Sequence, residues 1–259
     1  MFTDRKIIYI FAFLLILTAC GGEDSETENT GYNRGEDSET ENTGYNRGDD
    51  SSMVTLVDVK TIFSNENAFA ALKNDGTVVT WGDKDNGGDS SKVVLKDINT
   101  IFSTGYSFAA LKSDSTVITW GRSEFGGNSS HVILEDIKTI YSTYLAFAAL
   151  KNDGTVITWG KSEFGGDSTS AMPEDVSTIY SSSVILEDVS TIYSTSSYDH
   201  NGAFAALKND GSVVTWGYAN SGGDSSSVEL ENVKTISSTN GSFAALKNDN
   251  TVVTWGAYY

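Results

Sequence analysis

The chain writes one phrase five times: Phe-Ala-Ala-Leu-Lys, a short turn, then Val-x-Thr-Trp-Gly. The tryptophans stand at Trp81, Trp120, Trp159, Trp216 and Trp255, so that three of the gaps are 39 residues long and one is 57. A fixed period of this size means a repeat architecture, in which each unit is a supersecondary element that buries its apolar faces only by stacking on its neighbours.

The segment from Ser91 to Gly126 serves as a type unit. Val93-Val94-Leu95 is a short apolar run, Lys96-Asp97 a polar break, and Asn99 to Ser103 a second β-rich run. Phe108-Ala109-Ala110-Leu111-Lys112 follows, then a three-residue turn, then Thr116 to Trp120. This reading predicts four short strands per unit. In three copies the turn is Asn-Asp-Gly, at Asn74, Asn152 and Asn209, and glycine suits the left-handed position of a three-residue hairpin loop. Ser115 and Asn250 take that place in the other two copies. Asn tolerates a left-handed backbone well, whereas Ser pays a small steric penalty.

Neither core strand alternates cleanly, so both faces should be covered, as in a sheet held between two neighbouring sheets. The paired alanines (Ala70-Ala71, Ala109-Ala110, Ala148-Ala149, Ala205-Ala206, Ala244-Ala245) let sheets approach, and the tryptophans fill the remaining space as core. Four-stranded sheets about every 40 residues, with no helical period and one proline, predict an all-β fold: a β-propeller of about five short blades. A sixth blade is the alternative count, because Glu174 to Ser181 recurs as Glu187 to Ser194 within the insertion at 171–202. A right-handed parallel β-helix competes, but its coils are usually shorter and do not need a hairpin turn in each.

Ahead of the repeats lie two segments of different character. Arg5 and Lys6 precede an apolar run from Ile7 to Leu17, too short to span a bilayer as a helix, and residues 1–19 read as a signal peptide. Leu17-Thr18-Ala19-Cys20 resembles the bacterial lipobox, which implies lipidation of Cys20, the only cysteine, and cleavage before it. Residues 20–52 follow as a linker. Between Gly21 and Asp50 they hold ten acidic residues, two arginines and no aliphatic side chain, and the 13 residues of 22–34 are repeated letter for letter at 35–47. Such a composition cannot repay the entropy of ordering and predicts a disordered, self-repelling stalk. The repeat domain is assigned to 53–259. With 35 acidic against 17 basic residues the chain would repel a phosphate backbone, which argues against nucleic acid as a partner.

The repeat consensus, Val-x-Thr-Ile-x-Ser, then Phe-Ala-Ala-Leu-Lys-x-Asp-Gly-Thr-Val-x-Thr-Trp-Gly, then Gly-Gly, resembles that of the regulator of chromosome condensation family. The resemblance covers about residues 53 to 259 and is clearest at Leu72 to Gly82 and Leu150 to Gly160. It implies a propeller. Family repeats place His before the Ala-Leu strand and Gly-Gln-Leu-Gly after Trp-Gly, where this chain has Phe and Gly-Gly-Asp-Ser, so the family's eukaryotic partners are not implied. The short-bladed bacterial branch typified by β-lactamase inhibitor protein II is nearer in scale. It supplies a precedent for a scaffold that acts outside the cell purely by binding another protein.

Catalysis finds little to work with. His131 and His200 occupy non-equivalent places without a repeated carboxylate or serine partner, so no enzyme activity and no cofactor is expected. Asp58, Asp97, Asp136, Asp175 and Asp188 recur in phase, as turn formers would. Asp83, Asp85 and Asp89 are spaced like the start of a calcium loop, but the later bidentate Glu is missing and the equivalent segments do not keep the pattern.

Positions free of the stacking constraint are the ones that differ between copies. They fall in the turn before Phe-Ala-Ala-Leu and in the segment after Trp-Gly. Counting strands puts both on one side of every blade, with the uniform turns on the other. That gathered face carries Tyr106, Phe125, Tyr144, Phe164, Tyr198 and Tyr218, exposed aromatics in an acidic rim, and is the expected partner-binding surface. The expected protein is a monomeric, non-enzymatic lipoprotein of the bacterial cell envelope, periplasmic or surface-exposed, held to the membrane through its lipid and binding an unknown protein or glycan. A blocker of a secreted hydrolase, a glycan-binding adhesin, and an enzyme using His200 or Asp199 are the rival readings.

Overall fold

The structure, a computed structural model, describes residues 56–168, 186–196 and 201–257. The signal peptide, Cys20, the stalk, Asp175, Tyr198, His200 and the first copy of the duplicated half-repeat lie outside these residues. No helix among the described residues is long and apolar enough to cross a membrane.

The described residues are nearly all β: fifteen strands in five three-stranded antiparallel sheets, as expected of a β-propeller of about five blades. In chain order the blades are β1–β3 (Val59–Ser64, Ala68–Lys73, Val78–Gly82), β4–β6 (Ile98–Ser103, Ser107–Lys112, Val117–Gly121) and β7–β9 (Ile137–Ser142, Ala146–Lys151, Val156–Gly160). The fourth is β10–β12 (Val189–Ser194, Ala203–Lys208, Val213–Gly217) and the fifth β13–β15 (Val233–Ser238, Ser242–Lys247, Val252–Gly256). Each sheet is a meander with the Phe-Ala-Ala-Leu strand in the middle. Of the duplicated half-repeat, the second copy supplies β10.

The expected fourth strand is corrected. Runs such as Val132-Ile133-Leu134 do not form strands, and three of them make one ladder bond to the preceding blade, not to their own: Val117 N–H donates to Leu134 C=O (3.3 Å), Val156 to Leu186 (2.9 Å) and Val213 to Leu230 (3.1 Å). The reason is local. The aspartate in phase after each leucine takes a left-handed backbone (Asp58, Asp97, Asp136 and Asp188 at φ 58° to 61°, with Asn232 as the fifth), which turns the chain before pairing can propagate. A one-residue bulge follows at the start of every first strand.

The core consists of four like junctions between successive blades. One blade contributes its alanines and leucine, as with Ala109 and Leu111, while the next contributes isoleucines, Phe and Trp, as with Ile137, Ile140, Phe147 and Trp159. The Phe and Trp are cross-strand partners and stack with centroids 5.1 to 5.2 Å apart in all five blades. Each buried indole N–H donates across the junction to a glycine carbonyl of the preceding blade: Trp120 to Gly87, Trp159 to Gly126, Trp216 to Gly165 and Trp255 to Gly222, at 3.1 to 3.2 Å. A second bond runs from each first strand to the preceding hairpin turn, as from Ile137 N–H to Ser115 C=O at 2.9 Å.

These junctions explain the first glycine of the Gly-Gly that follows four of the five Trp-Gly copies. At Gly126 a Cβ would stand 2.5 Å from the ring of Phe147, and φ is +100°. A larger residue there would push the aromatic plate off its seat, at a cost of about 1–3 kcal/mol for the overpacking alone. The tryptophans are core, as expected, except in the first blade, where Trp81 is only half-buried.

The hairpin turns behave as their residues predict: Gly76, Gly154 and Gly211 sit at φ 78° to 86°, Ser115 at 66° and Asn250 at 69°. Replacing Ser115 with Gly should therefore raise stability by about 0.5–1 kcal/mol, the left-handed penalty less the entropy glycine adds to the unfolded chain. Urea unfolding measures this as a higher midpoint at unchanged slope.

The same turns carry a pH signature. Asp75, Asp114, Asp153, Asp210 and Asp249 accept through Oδ1 from both the N–H and the hydroxyl two residues on. These bonds favour the ionised form and hold all five carboxyls below the usual aspartate range. A folded-state value below the unfolded one gives stability that is present above the unfolded pKa, about 3.9, and is lost as pH falls through the folded value. A variant with Asn at all five positions should thus lose less stability than the parent between about pH 5 and pH 2, as chemical denaturation at each pH would show.

Candidate interaction face

Each sheet places its two variable segments side by side. The residue after Trp-Gly donates its N–H to the last residue of the loop before the middle strand: Asp83 to Asn67, Arg122 to Tyr106, Lys161 to Leu145, and Tyr218 to Gly202, at 2.8 to 3.0 Å. With three strands, the loop between the first two and the exit from the third emerge at the same end of the sheet. The gathering expected from four strands therefore survives the corrected count.

A recurring side chain fastens the two segments. Thr104 donates to Phe125 C=O, Thr143 to Phe164 C=O, Thr195 to Ser221 C=O, and Asn65 to Asn86 C=O, at 2.7 to 3.2 Å. These residues lie in the variable turn yet do structural work. Their signal in the sequence is that threonine holds the place in four of five copies.

Of the six aromatics, three meet. Tyr106 lies 5.2 Å from Phe125 and 5.5 Å, edge to face, from Tyr144. They come from blades two and three, and the Tyr144 hydroxyl donates to that of Tyr106 at 3.3 Å. Gly105 makes this possible, since a Cβ there would fall 2.7 Å from the Tyr144 ring. The Arg122 guanidinium sits 5.1 Å from the Phe125 centroid and 5.8 Å from that of Tyr106, within cation–π range of both. Phe164 and Tyr218 form a separate pair at 5.7 Å on blades three and four. All five are half-buried, not fully exposed as the sequence suggested, because each leans on the ring beside it. Tyr198 lies outside the described residues.

The first-blade loop joins this cluster. Glu66 N–H donates to Gly105 C=O at 3.2 Å, and Gly105 N–H to Tyr144 C=O at 2.8 Å, so three consecutive loops are laced by their backbones. Burial, the Tyr106 hydroxyl and the Glu66 carboxylate together push the Tyr144 hydroxyl above the ordinary tyrosine range and keep it a neutral donor. In the sequence Glu66 and Gly105 stand out only as members of the variable turns, and Arg122 only as part of the segment after Trp-Gly. The only hint was that Arg122 stands where other copies carry Asp83, Lys161, Tyr218 and Ala257.

Beside the cluster, a groove of about 830 Å³ opens between the segments after Trp81 and Trp120, lined by Asp83, Asp85, Lys84, Lys92 and Arg122. Asp83 spends Oδ1 on the Asn86 N–H and side-chain amide, and Asp89 spends its own on the Ser91 N–H. Among the described residues no three metal-ligating side chains come together. His131 is exposed on a connecting segment.

No family model matches the chain, and no curated protein matches it. Solved structures do resemble it. Yeast RCC1 (Prp20), in a crystal structure with Kap60, is 15% identical with a TM-score of 0.48, over 76% of this chain and 56% of that one. Human WBSCR16 is 15% identical with a TM-score of 0.46, over 76% and 61%. The ectodomain of the Physcomitrella patens receptor kinase CR4 is 14% identical, also at 0.46, over 78% and 51%. The chain thus spans between half and three fifths of the length of these structures, and at such scores its fold rests on its own strand order and junctions.

Proposed function

We propose that this protein is a non-enzymatic binding module whose loop face, centred on Tyr106, Phe125, Tyr144 and Arg122, docks another protein outside a bacterial cell, with Cys20 as the site of a lipid anchor. The observation that carries the reading is the convergence of variable side chains. Every copy keeps the Phe, Trp and paired alanines of the junctions, while the loop residues that differ most emerge at one end of adjacent sheets. There half-buried aromatics and the exposed Arg122 build a cluster of the residue types that dominate binding energy in protein interfaces. Lacing by backbone bonds holds the cluster ready, which lowers the entropy lost on binding. The acidic residues around it, Glu66, Glu124 and Glu163, are exposed and suit a basic rim on the partner.

The test uses the full chain, lipidated and in detergent, as bait for envelope proteins, beside a variant carrying Tyr106→Ser, Phe125→Ser and Tyr144→Ser. The parent should retain a discrete protein that the variant loses by at least tenfold, with circular dichroism showing the variant folded. Equal retention by both, or retention on polysaccharide with no protein captured, would overturn the reading.

A further inference from the structure

Among the described residues the row of blades leaves a sheet face uncovered at each end. Ile62, in the first blade, is 57% exposed where Ile101, Ile140, Ile192 and Ile236 are 2 to 3% exposed. Phe69 is 44% exposed where its four counterparts are at most 1%. The Trp81 indole N–H has no glycine acceptor among the described residues. At the other end, Val252 of the fifth blade is 61% exposed, and Ala244 and Leu246 are half-buried. Among the described residues no backbone hydrogen bond joins the first blade to the fifth.

These two surfaces are not of the same kind. Every internal junction joins an alanine, leucine and valine face of one blade to an isoleucine, Phe and Trp face of the next. The first blade leaves open the second kind, and the fifth leaves open the first kind. Their backbones match as well. In the register that gives Val117, Val156 and Val213 their outward bonds to a leucine carbonyl, the Val252 N–H has no partner among the described residues, and Leu56 holds the corresponding leucine place before β1. The molecule thus displays both halves of a contact that it makes four times within itself.

We propose that copies of this chain associate head to tail, the fifth blade of one packing on the first blade of the next as successive blades do within the chain. This departs from the monomer expected from the sequence, and it uses the sheet faces and not the loop face. A heterologous contact of this kind either closes into a ring of copies or grows. One difference from the internal junctions sets its strength. Phe63, Phe102, Tyr141 and Tyr193 occupy one position of the alanine face, and the fifth blade carries Ser237 there. The hydroxyls of Tyr141 and Tyr193 reach Thr191 and Thr235 of the following blade at 3.2 and 3.3 Å, a contact Ser237 is too short to make with Thr61 of a second copy. The association is therefore weaker than an internal junction, and reversible.

The test is sedimentation of the lipidated chain over a concentration series, in a detergent that covers the lipid at Cys20. Ile62→Lys spoils one half of the contact and Val252→Lys the other, both at exposed positions that the fold does not depend on. The parent should associate with rising concentration, each variant alone should remain a single copy, and an equimolar mixture should form a 1:1 pair, since each variant keeps the half the other lacks. Ser237→Tyr should tighten the parent's association at least tenfold. A parent that stays a single copy throughout, a Val252→Lys variant that still pairs with itself, or a mixture no more associated than its components would overturn the proposal.

Discussion

Everything in this molecule depends on the seating of one flat aromatic plate. In each blade Phe and Trp stack across two strands, and the plate slides over the glycine and alanine surface of the blade before it. Dispersion and burial supply the attraction, while the indole N–H, fixed to a glycine carbonyl, supplies the register. Because the plate is wide and the opposing side chains are small, the sheets approach closely without interlocking. The same junction can then be made four times by nearly the same residues.

That economy has a consequence for where variation can live. Alternate residues of the middle strand face opposite neighbours, Phe108 and Ala110 one junction and Ala109 and Leu111 the next, so the whole strand is committed to stacking. A loop residue beyond the Thr104 or Thr143 fastener touches neither. The scaffold and the candidate face are thus separated physically, with the threonine hydroxyl as the boundary. Differences among the loops leave the stacking intact, yet the first three loops are held in place, since each is tied to its own blade and their backbones are laced to one another.

The ends of the row show what the junction does by its absence. Ile62 and Phe69 are the same residues that are buried in the later blades, in strands of the same length and register. What differs is that no described blade precedes them. Ser237 softens the fifth blade at the position where the other four carry Phe or Tyr. The first blade has no such adjustment, and so its face remains apolar.

The period, the hairpin turns, the core role of the tryptophans and the side on which the variable loops emerge were all legible in the chain. Each follows from residue spacing and backbone preference within one unit. The fourth strand was not, because Val132-Ile133-Leu134 has the composition of a strand and only the left-handed Asp136 beside it, acting with the edge of the preceding blade, limits it to one bond. The meeting of Tyr106 with Phe125, Tyr144 and Arg122 was half legible: the residues stood out as variable, but their distances depend on how far one blade is offset from the next. The open faces were invisible, since a sequence of like repeats reads the same whether or not its ends meet. What one unit can bury against another is written in its residues; which units have a neighbour is decided by the assembled fold.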